Sequence, residues 1–390
     1  MGDRNPHLVE RLQEFGVTIF AEMSALAAET GAINLGQGFP DTDGPSEVAE
    51  AAVSAIRGGH NQYPPGPGIE PLREAIAKHQ YRFYNIDVDP KDQVLVTAGA
   101  SEALAAALIS LVEPGQEVVT FEPYYDFYAA AIAMAGARRK VVTLRTPSYS
   151  FDPEELAAAI SPDTRMILLN SPHNPTGKVF TLDELNVIAS LAIEYNLLVV
   201  TDEVYEHLVF DGVMHVPIST LPGMAERTLT ISSAAKTFGF TGWKIGWAHG
   251  TPELIAALRT AKQYLTYVNG GPFQHAIVAG LNLSDDYFFR LATDMEEKRD
   301  ILCAGLENAG FTVFHSSGTY YTTVDVSSLG VDNGLDFCRD LPHRCGVVAV
   351  PNQVFYDNKE VGKPLIRFAY CKRNEVLAEA VRRLSVLGDI

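Results

Sequence analysis

The run QVLVTAGASEALAAALISLV, Gln93 to Val112, changes character in its middle. Gln93 to Ala100 is a short apolar stretch closing in small residues, which reads as a buried strand. SEALAAALISLV, rich in the strong helix formers Ala and Leu, reads as a helix. The same unit recurs along the chain. Glu117 to Glu122 (EVVTFE) is a strand before YDFYAAAIAMAG, and Arg165 to Asn170 (RMILLN) is a strand before TLDELNVIASLAIEYN. Leu197 to Glu203, Thr228 to Ser232 and Lys244 to Gly250 are further strands, the last followed by the helical PELIAALRTAKQYL. Apolar strands alternating with helices predict an α/β fold, a mainly parallel sheet sandwiched by helices.

After Ser284 the pattern changes. A long charged helix, Asp285 to Ala309, precedes the more alternating strands TVFHS and TYYTTVDV, then LIRFAYC and a final helix. This predicts a second, smaller α+β domain with which the N-terminal segment packs. The expected division is a large domain over 46–284 and a small one built from 1–45 and 285–390.

Bulk properties narrow the function. The chain has 390 residues and a formal net charge of −18, which argues against nucleic-acid and anionic-membrane partners. Arg138-Arg139-Lys140 is the densest basic run and reads as a solvated strand edge. The four cysteines, Cys303, Cys338, Cys345 and Cys371, form no C-x-x-C pair. That fits a reduced, cytoplasmic protein without a disulfide framework or a metal site. The start MGDRNPHLVE has no apolar core and is not a signal peptide, and no apolar run is long enough to span a membrane.

In an open parallel sheet, ligands bind beyond the carboxyl ends of the strands. One strand there ends in Gly99-Ala100-Ser101, another in Asn170-Ser171-Pro172-His173-Asn174-Pro175-Thr176-Gly177. A third ends in Asp202 with Tyr205 close behind, a fourth in Ser232-Ser233 before Lys236. Singly, each has an ordinary reading as an N-cap, a turn or a surface group. Together they place a phosphate cradle (Ser101, Ser233, Lys244), a carboxylate, a phenol, an amide and a lysine on one rim. Pyridoxal phosphate chemistry needs that set. A lysine forms a Schiff base with the aldehyde, a carboxylate keeps the ring nitrogen protonated, donors stabilise the phenolic oxygen, and hydroxyls, N–H groups and a cation hold the phosphate.

NSPHNPTG, TDEVYEHLVFDG, SSAAKTFGFTGWKIGW and LIRFAYCKR, in that order and spacing, resemble the fold-type I, class I aminotransferases over essentially the whole chain. The resemblance implies that Lys236 is the Schiff-base lysine and the proton-shift base, and that Asp202 pairs with the pyridine nitrogen. It implies that Tyr205 and Asn174 bond the phenolic oxygen, and that Ala100, Ser101, Ser233 and Lys244 hold the phosphate. Tyr125 would stack on the ring, and Arg367 would clamp the substrate α-carboxylate. INLGQGFPD and NQYPPGPG look like the branch holding kynurenine aminotransferases, glutamine transaminase K and N-succinyldiaminopimelate aminotransferases. There Gly36 lies against the substrate and Tyr63 reaches the phosphate of the partner in a homodimer with composite sites.

GASEA, FAEMSALA and NQYPPGPG look closest to the succinyldiaminopimelate enzymes. Kynurenine enzymes carry a tyrosine where this chain has Ser101, and an aromatic residue near Thr18 that is not evident here. The expected reaction moves an amino group from an amino acid to 2-oxoglutarate or pyruvate, with N-succinyl-L,L-diaminopimelate as donor in lysine biosynthesis. The alternatives are a kynurenine, glutamine, methionine or aromatic aminotransferase, and a cysteine-S-conjugate β-lyase using the same lysine. A non-enzymatic pyridoxal-phosphate-binding regulator is remote, since only residues 1–45 precede the larger domain and the chain is acidic. No G-x-S-x-G supports a hydrolase.

Overall fold

A computed structural model describes residues 5–388. Met1 to Arg4, the start of the segment read above as no signal peptide, lie outside them, as do Asp389 and Ile390. A short strand β1 (Ile33–Asn34) precedes seven that form one sheet. These are β2 (Val94–Thr97), β3 (Glu117–Glu122), β4 (Arg138–Thr143), β5 (Thr164–Asn170), β6 (Leu198–Asp202), β7 (Thr228–Ser233) and β8 (Gly246–His249). Their spatial order is β2-β8-β7-β6-β5-β3-β4. β8 runs antiparallel to both neighbours, and every other pairing is parallel.

The side-chain period of two explains why the central strands read as unbroken apolar runs. In β5, Met166 and Leu168 pack on one face with Ala103, Leu104 and Leu108 of the helix Gly99–Leu111 and Leu258 of the helix Pro252–Leu265. Ile167 and Leu169 pack on the other with Leu185, Ile188 and Ala192 of the helix Leu182–Glu194. That helix starts where the sequence offers a reciprocal cap: the Thr181 hydroxyl accepts from the Glu184 amide while Glu184 accepts from the Thr181 amide. The basic run Arg138 to Lys140 lies on β4, the edge strand, with Arg138 and Lys140 exposed.

Two boundaries differ from the sequence reading. The first strand stops at Thr97, because Gly99 turns the chain at φ 73° and Gly99 and Ala100 already belong to the helix. Lys244 is not in a strand: it takes a left-handed conformation (φ 55°) after the turn Thr241–Trp243, and β8 begins at Gly246. A Cβ on Gly246 would meet the Ala100 nitrogen at 2.7 Å, so glycine there lets the helix start lie against β8. Because β8 is reversed, its beginning, and Lys244 with it, falls on the rim where β2, β5, β6 and β7 end.

The remaining strands are β9 (Thr312–Phe314), β10 (Tyr321–Asp325), β11 (Val347–Val348), β12 (Val350–Pro351) and β13 (Leu365–Ala369). An antiparallel sheet β12-β13-β10-β9 packs against the helices Asp285–Asn308, Gly334–Cys345 and Asn374–Leu384. The N-terminal segment joins this core. β1 pairs with β11, and Met23 and Ala27 of the helix Ile19–Thr30 are buried in the same cluster as Leu341, Val348 and Ile366. Among the described residues no helix is long and apolar enough to cross a membrane.

Candidate active site

The rim of strand ends opens on a cavity of about 300 Å³ between the two sheets. Ala100, Ser101, Tyr125, Asn174, Asp202, Tyr205, Ser233, Lys236 and Lys244, all singled out from sequence, line it. They arrive from six places on the rim, the ends of β2, β3, β5, β6 and β7 and the start of β8. Ala100 and Ser101 lie in the first turn of the helix Gly99–Leu111, where no side chain caps the amide groups. Ser233 ends β7 with its hydroxyl not used as a cap, and Lys236 follows in the one-turn helix Ala234–Thr237. Open amides, two hydroxyls and Lys244 make one end of the cavity suited to a phosphate.

Asp202 ends β6 and is fully buried. Its Oδ2 accepts from Tyr128 Oη at 2.7 Å and its Oδ1 from the Val204 amide at 3.3 Å. Burial pushes the carboxyl up to about 6, against the pull of those donors and of Lys236. A buried carboxylate so raised has incomplete compensation, which a cation in the cavity would supply. Burial lowers the Lys236 amine to about 8, so its neutral form is populated near neutral pH.

Asn174 is held by its neighbour: its amide donates to Asn170 Oδ1 at 2.7 Å, and Asn170 Nδ2 donates to the Asp202 carbonyl at 2.8 Å. The Asn174 Oδ1 accepts from Arg367 Nη1 at 2.8 Å, leaving its NH₂ as a donor. Arg367, on β13, is 1% exposed and stands behind the cavity wall. Its Nη2 donates to the Gly36 carbonyl at 3.1 Å, and its guanidinium carbon lies 3.9 Å from the Tyr321 ring centroid. Among the described residues Nε has no hydrogen-bond partner. A buried guanidinium with a free N–H is poised for an anion.

Tyr63 is not in this cavity. It is 82% exposed on its loop, edge-on to Tyr267 at 5.6 Å. Gly36 is also behind the lining, contributing its carbonyl to Arg367.

Several residues at the site escaped the sequence reading. Tyr128 follows Tyr125 by three positions on the helix Asp126–Met134, a spacing that could have flagged it. Asn170 stood inside a quoted motif without a role. Phe20 supplies an aromatic residue close to Thr18: it lines the cavity and lies 5.3 Å from the Arg367 guanidinium. Tyr320 and Tyr321 adjoin at the start of β10, and periodicity gave no sign of either.

The family model for aminotransferases of class I and II matches residues 30–384. The chain belongs to that aminotransferase family. It is 52% identical to a probable N-succinyldiaminopimelate aminotransferase of Mycobacterium tuberculosis, over 98% of each chain. It is 38% identical to the methionine aminotransferase of Escherichia coli, over 97% of each. The solved structure of N-succinyldiaminopimelate aminotransferase from M. tuberculosis superposes with a TM-score of 0.95 at 53% identity, covering 97% of this chain and 100% of that one. The aminotransferase is therefore an enzyme of fold type I that uses pyridoxal 5′-phosphate. The donor set fits that cofactor: uncapped amides and a lysine for its phosphate, a buried carboxylate for its ring nitrogen, and an amine for its aldehyde.

Proposed function

We propose that this aminotransferase acts on N-succinyl-L,L-diaminopimelate with 2-oxoglutarate as acceptor, a reaction of lysine biosynthesis, in the cytoplasm. The observation that carries the substrate is full-length similarity to proteins named for it. Ser101, in place of the tyrosine of kynurenine enzymes, supports it by leaving that wall of the cavity small. A second reading has a specific support. Phe20, Phe39 and Tyr125 line the cavity, a surface suited to thioether or aromatic donors such as methionine or kynurenine.

When bound, pyridoxal phosphate supplies an aldehyde that captures amines and a cationic ring that draws off the electron pair left by the departing α-proton. We assign the protein's part as follows. The amides at Ala100 and Ser101, the hydroxyls of Ser101 and Ser233 and the Lys244 cation would hold the phosphate. Tyr125 would cover the ring. Asp202, held by Tyr128, would balance the ring nitrogen, and the Asn174 NH₂ and the Tyr205 hydroxyl would donate to the phenolic oxygen. The Lys236 amine would anchor the cofactor and take up and return the proton that leaves the substrate α-carbon. Arg367, aimed by Asn174 and Gly36, takes the α-carboxylate. Residues 46–284 form the domain that carries the cofactor, and 1–45 with 285–390 the one that covers it.

A panel of donors against 2-oxoglutarate and pyruvate, scored by kcat/KM, tests the substrate. N-succinyl-L,L-diaminopimelate is expected to lead; methionine or kynurenine leading by tenfold would establish the second reading. Pyruvate release from a cysteine conjugate without added 2-oxo acid measures lyase activity. The same panel run on Arg367→Lys should show every donor and acceptor weakened by about 10- to 100-fold, because lysine keeps the charge but loses parallel donation. Unchanged values for several substrates would remove Arg367 from the site.

We infer a homodimer in which Tyr63 completes the partner's phosphate site, supported by its exposure and its absence from its own cavity. Tyr63→Ala is then expected to be impaired alone. Mixed with Lys236→Ala so that subunits exchange, it should regain activity above either parent, since one site per hybrid carries neither lesion. Proven exchange without recovery refutes shared sites.

A further inference from the structure

Tyr320 lies just before β10, 1% exposed, and belongs to none of the motifs that mark the site. Its hydroxyl has a single proton, which it donates to the Gly38 carbonyl at 2.6 Å. Only lone pairs then remain towards Lys236, whose Nζ donates to it at 2.9 Å. With its proton given to Gly38, Tyr320 is the acceptor of the bond from the amine, and the Tyr205 hydroxyl is a further hydrogen-bonding neighbour.

Gly38 is part of a strap, residues 35–41, that the smaller sheet holds by its carbonyls. Leu35 O accepts from the Ala369 amide at 2.6 Å, Gly36 O from Arg367, and Phe39 O from Lys372 Nζ at 2.7 Å. The Arg373 amide donates to Asp41 at 2.8 Å. A Cβ on Gly38 would overlap the Tyr321 hydroxyl, so the strap has little freedom to shift there. Lys236 also borders a second cavity of about 300 Å³, on whose walls stand Tyr320, Thr237, Asp294 and Cys371. A flexible four-carbon side chain between two voids has more than one place for its amine.

We propose that Tyr320 is a positioning residue for Lys236: its hydroxyl, tied to the Gly38 carbonyl, is the resting point of the amine whenever that amine is free. This rests on the assignment of Lys236 as the cofactor's lysine. The tie joins the strap to the lysine, so the Arg367–Gly36 contact and the Lys236–Tyr320 contact belong to one rigid piece. An accepted hydrogen bond also favours the ammonium form. The other groups facing the amine are Asp202 on β6, which favours the charge, Arg367 on β13 and Lys244 before β8, which oppose it, and Cys371 beyond β13, whose thiol burial pushes up to about 11 and so keeps neutral there.

The test is Tyr320→Phe, which keeps the ring edge-on to Tyr205 at 5.2 Å and against Tyr321 at 4.8 Å. Cofactor-free protein is acetylated competitively across pH and the Lys236 peptide is quantified by mass spectrometry. The wild-type midpoint is expected at about 8, and that of Tyr320→Phe lower by about 0.5–1 pH unit. In loaded enzyme kcat should fall about tenfold with KM changed less than about twofold. Incorporation of 3-fluorotyrosine at 320 keeps shape and donor but weakens the acceptor, and should move the midpoint the same way by less. It decides the matter alone should Tyr320→Phe fail to fold. Midpoints equal to wild type, with kcat within twofold, overturn the proposal. Borohydride tagging of wild type at another lysine would instead overturn the assignment of Lys236, a separate result.

Discussion

Lys236→Ala is expected to lower turnover by at least about 10⁴-fold while leaving a folded protein that still binds pyridoxal phosphate. The size follows from two roles lost at once, capture of the aldehyde and removal of the proton from the substrate α-carbon; acid–base catalysis alone contributes about 10²–10⁴-fold. Binding should persist because the proposed phosphate contacts, Ser101, Ser233, Lys244 and the uncapped amides, are untouched. Folding should persist because Lys236 forms no ion pair among the described residues. Its partner Tyr320 keeps its proton on the Gly38 carbonyl when the amine is gone. Two readouts separate this from mere damage. Borohydride should fix the cofactor covalently to wild type at Lys236 and to no residue of the variant. A small primary amine such as ethylamine, diffusing into the vacated space, should restore a measurable part of the rate. Turnover within tenfold of wild type would show that Lys236 is not the base.

The large sheet was legible because burial on both faces leaves a strong mark. Ile167 to Leu169 had to be apolar at every position, and small residues or caps closed each run. Strand direction left no such mark: β8 is as buried as the parallel strands of the same sheet, and its reversal follows from sheet topology alone. The candidate residues that could be read were those at strand ends, where Asp202 and Ser233 close apolar runs and Asn174 follows one. Tyr320 could not be read this way. Its role depends on Gly38, a contact 282 positions apart along the chain. Tyr128 and Asn170 act through other residues, so they carry no signature beyond their own helix and strand. Tyr63 is the opposite case: sequence resemblance gave it a place that a single chain cannot display.

Asp202→Asn should reduce kcat by about 10²- to 10³-fold with the fold intact. Asparagine fills the same volume; its Oδ1 can still accept from the Val204 amide, while its NH₂ takes the place of Oδ2 and donates to the Tyr128 hydroxyl. It cannot balance a positive charge, and removing one member of a buried ion pair costs about 3–5 kcal/mol. Cofactor-free protein gives a test of opposite sign. The Asp202 carboxyl is raised from 3.8 to about 6 in the fold, so the folded state holds its proton more tightly than the unfolded chain does. Its contribution to stability is fully present below pH 3.8 and is lost as pH rises through about 6. Asparagine has nothing to lose there. The Tm of cofactor-free Asp202→Asn relative to wild type should therefore climb between pH 4 and 6 and level off above. Adding pyridoxal phosphate should reverse the order at pH 7, since the wild-type carboxylate then meets a cation and the amide does not. Near-normal turnover in the variant, or a Tm difference flat across that pH range, would mean that the carboxylate facing the cavity has another purpose.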